Sequence, residues 1–288
     1  MEEENKQHNL KAIEGGAAAD PALDEDEGQG EDGRSAHDRR RSIGQRFREA
    51  RGVYLLPNLI TTGALFAGFF AVVQAMNGKF VNAAIAIFAA MLLDAADGRV
   101  ARITRSTSAF GAEYDSLSDM VAFGVAPSLV AFTFALSELG QIGWVVTFIY
   151  MVCAALRLAR FNTQPSDHAA FTGLASPSAA ALVVGTVWVW VDLGLGDLSP
   201  WREIVMATVT AAAGLLMVSN FKYFSPKELP LRGRVPFITL VLVVLVFSVI
   251  LVDPPKVLLT GFSLYALSGP VHYLWNLRSG RASSAKSE

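Results

Sequence analysis

The chain is predicted to be an all-α, polytopic membrane helical bundle with about eight transmembrane helices and both termini cytoplasmic. Three observations predict it. Apolar runs long enough to cross a bilayer, which takes about 20 helical residues each, recur from residue 54 to residue 275. The connections between them alternate between cation-poor and cation-rich, as the positive-inside rule requires. The chain is also 52% hydrophobic with a mean hydropathy of +0.38, although much of its charge sits in the first 51 residues.

Residues 1 to about 33 are rich in Glu, Asp, Gly and Ala without apolar periodicity, and are expected to be disordered. Arg39, Arg40, Arg41, Arg46, Arg48 and Arg51 follow, just ahead of the first apolar run. Such a juxtamembrane cluster favours the cytoplasmic side and can rest on anionic headgroups. The first 30 residues hold no apolar stretch of signal-peptide type, so the first membrane helix is expected to act as the insertion signal. This divides the chain into a cytoplasmic tail (1–51), a transmembrane domain (52–278) and a short cytoplasmic tail (279–288).

Spans are expected near 54–76, 80–99, 114–136, 141–160, 175–194, 203–219, 235–252 and 256–275. The turns near 77–79, 137–140, 195–202 and 253–256 carry at most one Lys or Arg each. The alternate connections hold Arg99, Arg102 and Arg105, then Arg157 and Arg160, then Lys222, Lys227, Arg232 and Arg234, and finally Arg278, Arg281 and Lys286. Frequent Gly, Ala, Ser and Thr point to helices that pack closely on one another. Trp144, Trp188, Trp190, Trp201 and Trp275 fall toward span ends, where indoles sit at the interface. Cys153 is the only cysteine, which excludes an internal disulfide and a cysteine metal site. His168, in a cytoplasmic connection, reads as a bystander, and no nucleic-acid partner is expected.

Against this apolar background stand Asp94, Asp97, Asp115 and Asp119. One charge at bilayer depth costs roughly 2.5–3.5 kcal/mol on insertion scales, so four acids require a compensating partner. Spacings of three (94 to 97) and four (115 to 119) put each pair on one helix face. Two such helices can enclose one or two hard cations with oxygen ligands alone, which suits Mg²⁺ or Mn²⁺, with Ca²⁺ as an alternative. Gly98 and Ala101 keep the second helix slim for a ligand or partner helix, and Gly111 is expected to help the connection turn. Two other readings stay open on pattern alone: a buried salt-bridge network with Arg99, Arg102 and Arg105, or the cation pathway of a transporter.

The complete string is Asp94-x2-Asp97-Gly98-x2-Ala101-Arg102-x8-Gly111-x3-Asp115-x3-Asp119. At every fixed position it resembles the signature of the CDP-alcohol phosphatidyltransferase family. LPNLITTGALFAGFF in the first helix, DSLSDMVAFGVAPS, ALRLARFN and FTGLASPSAAA extend the resemblance over about residues 52–235. They are similar to the integral-membrane phosphatidylserine synthase branch of that family. Ala175 departs from the pattern, standing where a proline is expected, whereas Pro177 keeps its place.

The resemblance implies transfer of a phosphatidyl group from CDP-diacylglycerol to L-serine, releasing CMP. It implies that Asp94, Asp97, Asp115 and Asp119 hold the divalent metal and that Asp119 is also the general base. Asn58, Leu59, Ile60, Thr61, Gly98, Ala101, Arg102, Ser108 and Gly111 match positions that hold the CDP-diacylglycerol. Arg157, Arg160 and Asn162 are candidates for binding the acceptor or a lipid phosphate. A homodimer in the cell membrane, with its site facing the cytoplasm, is expected. Alternatives are another acceptor (glycerol phosphate, inositol phosphate or inositol) or a divalent-cation transporter.

Overall fold

A computed structural model describes residues 56–104, 108–163, 172–196, 198–223 and 237–284. Helix α1 (Leu56–Met76) comes first. Then come α2 (Phe80–Thr104) and α3 (Ala109–Asp119), which runs through a π-helical turn (Met120–Val125) into α4 (Ala126–Phe134). A 3₁₀ turn (Leu136–Leu139) leads to α5 (Gln141–Thr163), α6 (Ser176–Asp192), α7 (Trp201–Val218), α8 (Phe237–Val252) and α9 (Pro254–Ser284). Thr172 and Lys222 form an isolated antiparallel bridge. The tail 1–51, Arg105, His168, Lys227, Arg232, Arg234 and Lys286 lie outside the described residues.

The molecule is a polytopic helical bundle, and each of the expected apolar segments falls on a helix. Five helices are long and apolar enough to cross a membrane: α1, α2, α3–α4 taken together, α5 and α7. The other three segments differ from simple spans. Helix α6 has 17 residues, about 25 Å at 1.5 Å per residue, short of the roughly 30 Å hydrocarbon core. Helices α8 and α9 meet the requirements of length and apolarity only as a pair, and they bend by 120° at the break between them. Asp253 occupies that break and accepts from the Lys256 backbone N–H (3.3 Å) and Nζ (2.6 Å). The Lys256 ammonium, hydrogen-bonded to it, holds the half-buried Asp253 carboxyl below its usual value.

Helix α6 is the hub. It packs on α2, α7 and α9, while α5 lies along α7. Its buried set runs Ser176, Ser178 and then without a break from Ala179 to Gly185, so it is covered on every side. The close packing expected from small residues is present. A Cβ on Gly68 would stand 2.8 Å from Ala122 Cα, and one on Gly214 would stand 3.1 Å from Tyr150 Cα. Large apolar side chains face outward instead: Leu59, Phe66, Phe69, Phe148, Leu215 and Phe247 are all exposed. That is the inverse of a water-soluble surface and the arrangement lipid stabilises.

Two expectations about local structure are corrected. The second helix does not stop near 99 but continues to Thr104, so Arg99 and Arg102 ride on its last turns rather than in a connection. Gly111 is not in the connection either; it lies in the first turn of α3, whose N-cap Ser108 accepts from the Gly111 N–H at 3.0 Å. Ser108, two residues ahead of the first turn's apolar Phe110, is the capping signal that starts the helix early. Among the tryptophans, Trp144, Trp201 and Trp275 are exposed, whereas Trp188 is half-buried and its ring lies 5.9 Å from that of Phe88.

Candidate active site

The four aspartates come from two helices that face one another. Asp94 and Asp97 lie one turn apart near the end of α2, and Asp115 and Asp119 one turn apart in the second half of α3. One carboxylate oxygen each from Asp94, Asp97 and Asp115 fall within 4.8 Å of one another. At an effective dielectric of about 20, two unit negative charges that close repel by about 3.5 kcal/mol. Three of them in a partly buried place suit a cation between them. Asp119 stands against Asp94, carboxyl to carboxyl, rather than within that trio.

Helix α1 buttresses the trio. Asp97 is only 4% exposed, and Thr61 Oγ1 donates to its Oδ2 at 2.7 Å and approaches the Pro57 carbonyl at 3.1 Å. Ser118 Oγ donates to the Thr61 carbonyl at 3.2 Å, tying α3 to the same turn of α1. Thr62 Oγ1 and the Tyr114 hydroxyl lie 2.9 Å apart, a second α1–α3 link. A hydroxyl fixed on a carboxylate leaves its other lone pairs in a defined direction, the usual support for a ligating acid.

The remaining predicted residues divide. Asn58 and Gly111 are neighbours: a Cβ on Gly111 would lie 3.4 Å from Asn58 Oδ1 and 3.1 Å from Ser108 Oγ. Gly98 meets nothing within 4 Å, so the face beside Asp97 is open. Arg102 is exposed and its Nε donates to the Gly98 carbonyl at 2.8 Å. Leu59 is 67% exposed and takes no part in the acidic cluster, while Ile60 on α1 and Ala101 on α2 are half-buried.

Across the site, Asn162 Nδ2 at the end of α5 donates to Ser116 Oγ at 3.0 Å. Arg157 Nη1 donates to Ser176 Oγ at 2.8 Å, and Arg160 Nη1 to Asn220 Oδ1 at 3.1 Å. Reasoning from sequence passed over Thr62, Tyr114, Ser116, Ser118 and Asn220. Of these, Ser116 and Ser118 carried a signal, since they alternate with the acids on α3.

The salt-bridge reading finds no support among the described residues, where neither Arg99 nor Arg102 forms an ion pair with the acids. Among the described residues, the far end of the bundle holds one buried acid, Glu203 at the start of α7, paired with Arg202 at 3.0 Å. Among the described residues, the acids able to gather round a metal ion are Asp94, Asp97 and Asp115.

A model of the CDP-alcohol phosphatidyltransferase family matches residues 54–266, which include α1 to α8, the first part of α9 and all four acids. The chain belongs to that family. Among curated proteins it is similar to a CDP-diacylglycerol–serine O-phosphatidyltransferase of Helicobacter pylori, 37% identical over 77% of this chain and 92% of the relative. A protein of that name from Bacillus subtilis is 33% identical over 58% of this chain and 89% of its own length. An archaetidylserine synthase of Methanothermobacter thermautotrophicus is 32% identical over 58% of this chain and 69% of the relative. Family membership makes the acidic pair of helices part of a transferase, and the protein a membrane enzyme of phospholipid synthesis.

Proposed function

We propose that the protein transfers the phosphatidyl group of CDP-diacylglycerol to L-serine, giving phosphatidylserine and CMP. The observation that carries this reading is the gathering of Asp94, Asp97 and Asp115 from two helices within 4.8 Å, in a chain whose curated relatives bear that activity's name. The donor set is all oxygen and partly buried, and it fits a hard divalent cation, Mg²⁺ or Mn²⁺. Asp94, Asp97 and Asp115 would hold it, with Asp119 beside Asp94. When bound, the cation supplies charge stabilisation at the diphosphate.

The chain's own residues do the rest. Asp119 accepts the proton of the serine hydroxyl as that oxygen bonds to the phosphorus carrying diacylglycerol. The bond from that phosphorus to the bridging oxygen breaks, and the electron pair leaves with CMP. The open face at Gly98, with Asn58, Ser108 and Gly111 alongside, is where the CDP moiety lies, and Arg102 is the cation at its rim. Arg157, Arg160 and Asn162 line the acceptor side. Holding donor and acceptor in line is where much of the rate comes from. The loop charges support a cytoplasmic position for this end of the bundle, in which the acyl chains stay in the bilayer while the headgroup reacts.

The test is CMP release by the purified protein from CDP-diacylglycerol with Mg²⁺ or Mn²⁺ and each acceptor in turn. Release that depends on L-serine is expected. Release with glycerol phosphate, inositol phosphate or inositol, but not serine, would replace the acceptor; none with any acceptor would return the acids to a transport role.

A further inference from the structure

Helix α9 carries a proline in its interior, Pro270, and continues to Ser284. A proline has no N–H to give, so the carbonyl four residues earlier, that of Ala266, loses its partner in the helix. Ala266 is buried, and an unpaired carbonyl inside a membrane protein is costly. The missing donor comes from outside the helix. Tyr223, in the connection after α7, gives its hydroxyl to the Ala266 carbonyl at 3.1 Å and is itself only 2% exposed. The residue ahead of the proline makes room for it. A Cβ on Gly269 would lie 2.5 Å from Tyr223 Cζ, so glycine at that position is what admits the ring. Tyr265 lies 5.4 Å from the same ring, and one turn beyond Gly269 the ring of Tyr273 lies 5.3 Å from that of Phe221.

The hydroxyl therefore does more than complete a helix. It fastens α9 to residues 219–223, and that segment is tied in turn to the one that opens α6. The Gly173 N–H donates to the Phe221 carbonyl at 2.9 Å, the Leu174 N–H donates to the Leu216 carbonyl at 2.9 Å, and Thr172 bridges to Lys222. Each of the two segments supplies one partner to the end of α5: Asn220 Oδ1 accepts from Arg160, and Ser176 Oγ accepts from Arg157. The donor side is built from other elements. Asn58, Ser108 and Gly111 adjoin one another, and Arg102 donates to the Gly98 carbonyl, all on α1, α2 and around the start of α3.

Resting on the transfer reading above, we propose that Tyr223 is a positioning residue of the reaction: by filling the carbonyl that Pro270 leaves open, it latches α9 to the two segments that hold Arg157 and Arg160, and so sets the acceptor side without touching substrate. Gly269 and Pro270 lie beyond the residues that the family model matches. A hydroxyl that only completes a helix and one that positions a site differ in what restores them. Pro270→Ala returns an N–H to α9, so the Ala266 carbonyl regains a partner within the helix, whereas nothing in that change rebuilds the link to residues 219–223.

Full-length wild type, Tyr223→Phe, Pro270→Ala and the double variant are compared in detergent for unfolding temperature and for CMP release, with L-serine and CDP-diacylglycerol varied separately. Loss of one neutral hydrogen bond in Tyr223→Phe predicts an unfolding temperature about 2–4 °C lower. It also predicts a KM for L-serine raised about three- to tenfold. KM for CDP-diacylglycerol stays within about twofold. Pro270→Ala alone keeps wild-type kinetics, since a carbonyl can accept from both donors. In the double variant the unfolding temperature returns to the wild-type value or higher, while the raised KM for L-serine persists. A KM restored together with stability would make Tyr223 a support of α9 only and overturn the proposal. Wild-type serine kinetics in Tyr223→Phe, or a rise confined to CDP-diacylglycerol, would overturn it too. If Tyr223→Phe does not fold, the double variant, whose carbonyl is paired, is compared with Pro270→Ala for the same split in KM. Wild-type protein that releases no CMP with any acceptor would overturn the transfer reading itself, a result distinct from altered variants of an active enzyme.

Discussion

At the scale of single residues, the acids do not share one role. Asp94, Asp97 and Asp115 draw together, while Asp119 stands beside Asp94 and within reach of Arg157. Replacing Asp119 with Asn keeps the shape but removes the proton acceptor. Turnover is expected to fall by about 10²–10⁴, while CMP still binds in a direct titration. Near-normal turnover in that variant would remove Asp119 as the base. Thr61 makes a separate prediction. Its hydroxyl fixes the buried Asp97, so Thr61→Val should weaken the apparent Mn²⁺ affinity about 10–100-fold, read as the metal dependence of CMP release. All four acids were legible in sequence because each pair is local: three or four residues place them on one helix face whatever the rest of the chain does. Thr62 and Tyr114 were not, because what matters about them is a partner on another helix, and spacing within one segment carries no trace of that.

At the scale of elements, two glycines separate packing from function. Gly68 lies against the backbone of Ala122 in the π-helical turn, so Gly68→Ala must push α1 away from the span that carries Asp115 and Asp119. A loss of about 1–3 kcal/mol is expected, seen as a lower unfolding temperature in detergent. Gly98 has open space before it, so Gly98→Ala should leave that temperature alone while raising KM for CDP-diacylglycerol. The reverse pattern would mean the open face is not where the donor lies. The π-helical turn itself was unreadable in the sequence, since MVAFGV is ordinary helix composition. It follows directly on Asp119 and offers the Phe123 carbonyl to the Tyr150 hydroxyl at 3.0 Å. Such turns frequently mark functional sites. Helix existence was legible from apolar runs, whereas helix ends were not. Capped by Ser108, α3 begins five residues before the expected start, and α2 outlasts its apolar run because its last turns carry Arg99 and Arg102 toward the polar face.

At the scale of the whole molecule, the bundle has one reactive end. The connection at Asn77–Lys79 is opposite to it, and Lys222, bridged to Thr172 near Arg160 and Asn220, belongs with it. Lys79→Cys and Lys222→Cys, each in a Cys153→Ser background, should therefore label with an impermeant maleimide from opposite sides of sealed vesicles, Lys222→Cys from the cytoplasmic side. The short α6 and the 120° corner between α8 and α9 show why counting apolar runs gives the number of helices more securely than the number of crossings. The central claim is tested most directly by isotope-labelled L-serine supplied to the purified protein with CDP-diacylglycerol and a divalent cation. Label entering the lipid phase in step with CMP, and lost on chelation of the metal, is the predicted result. CMP released at the same rate without serine, with no label in lipid, would contradict it.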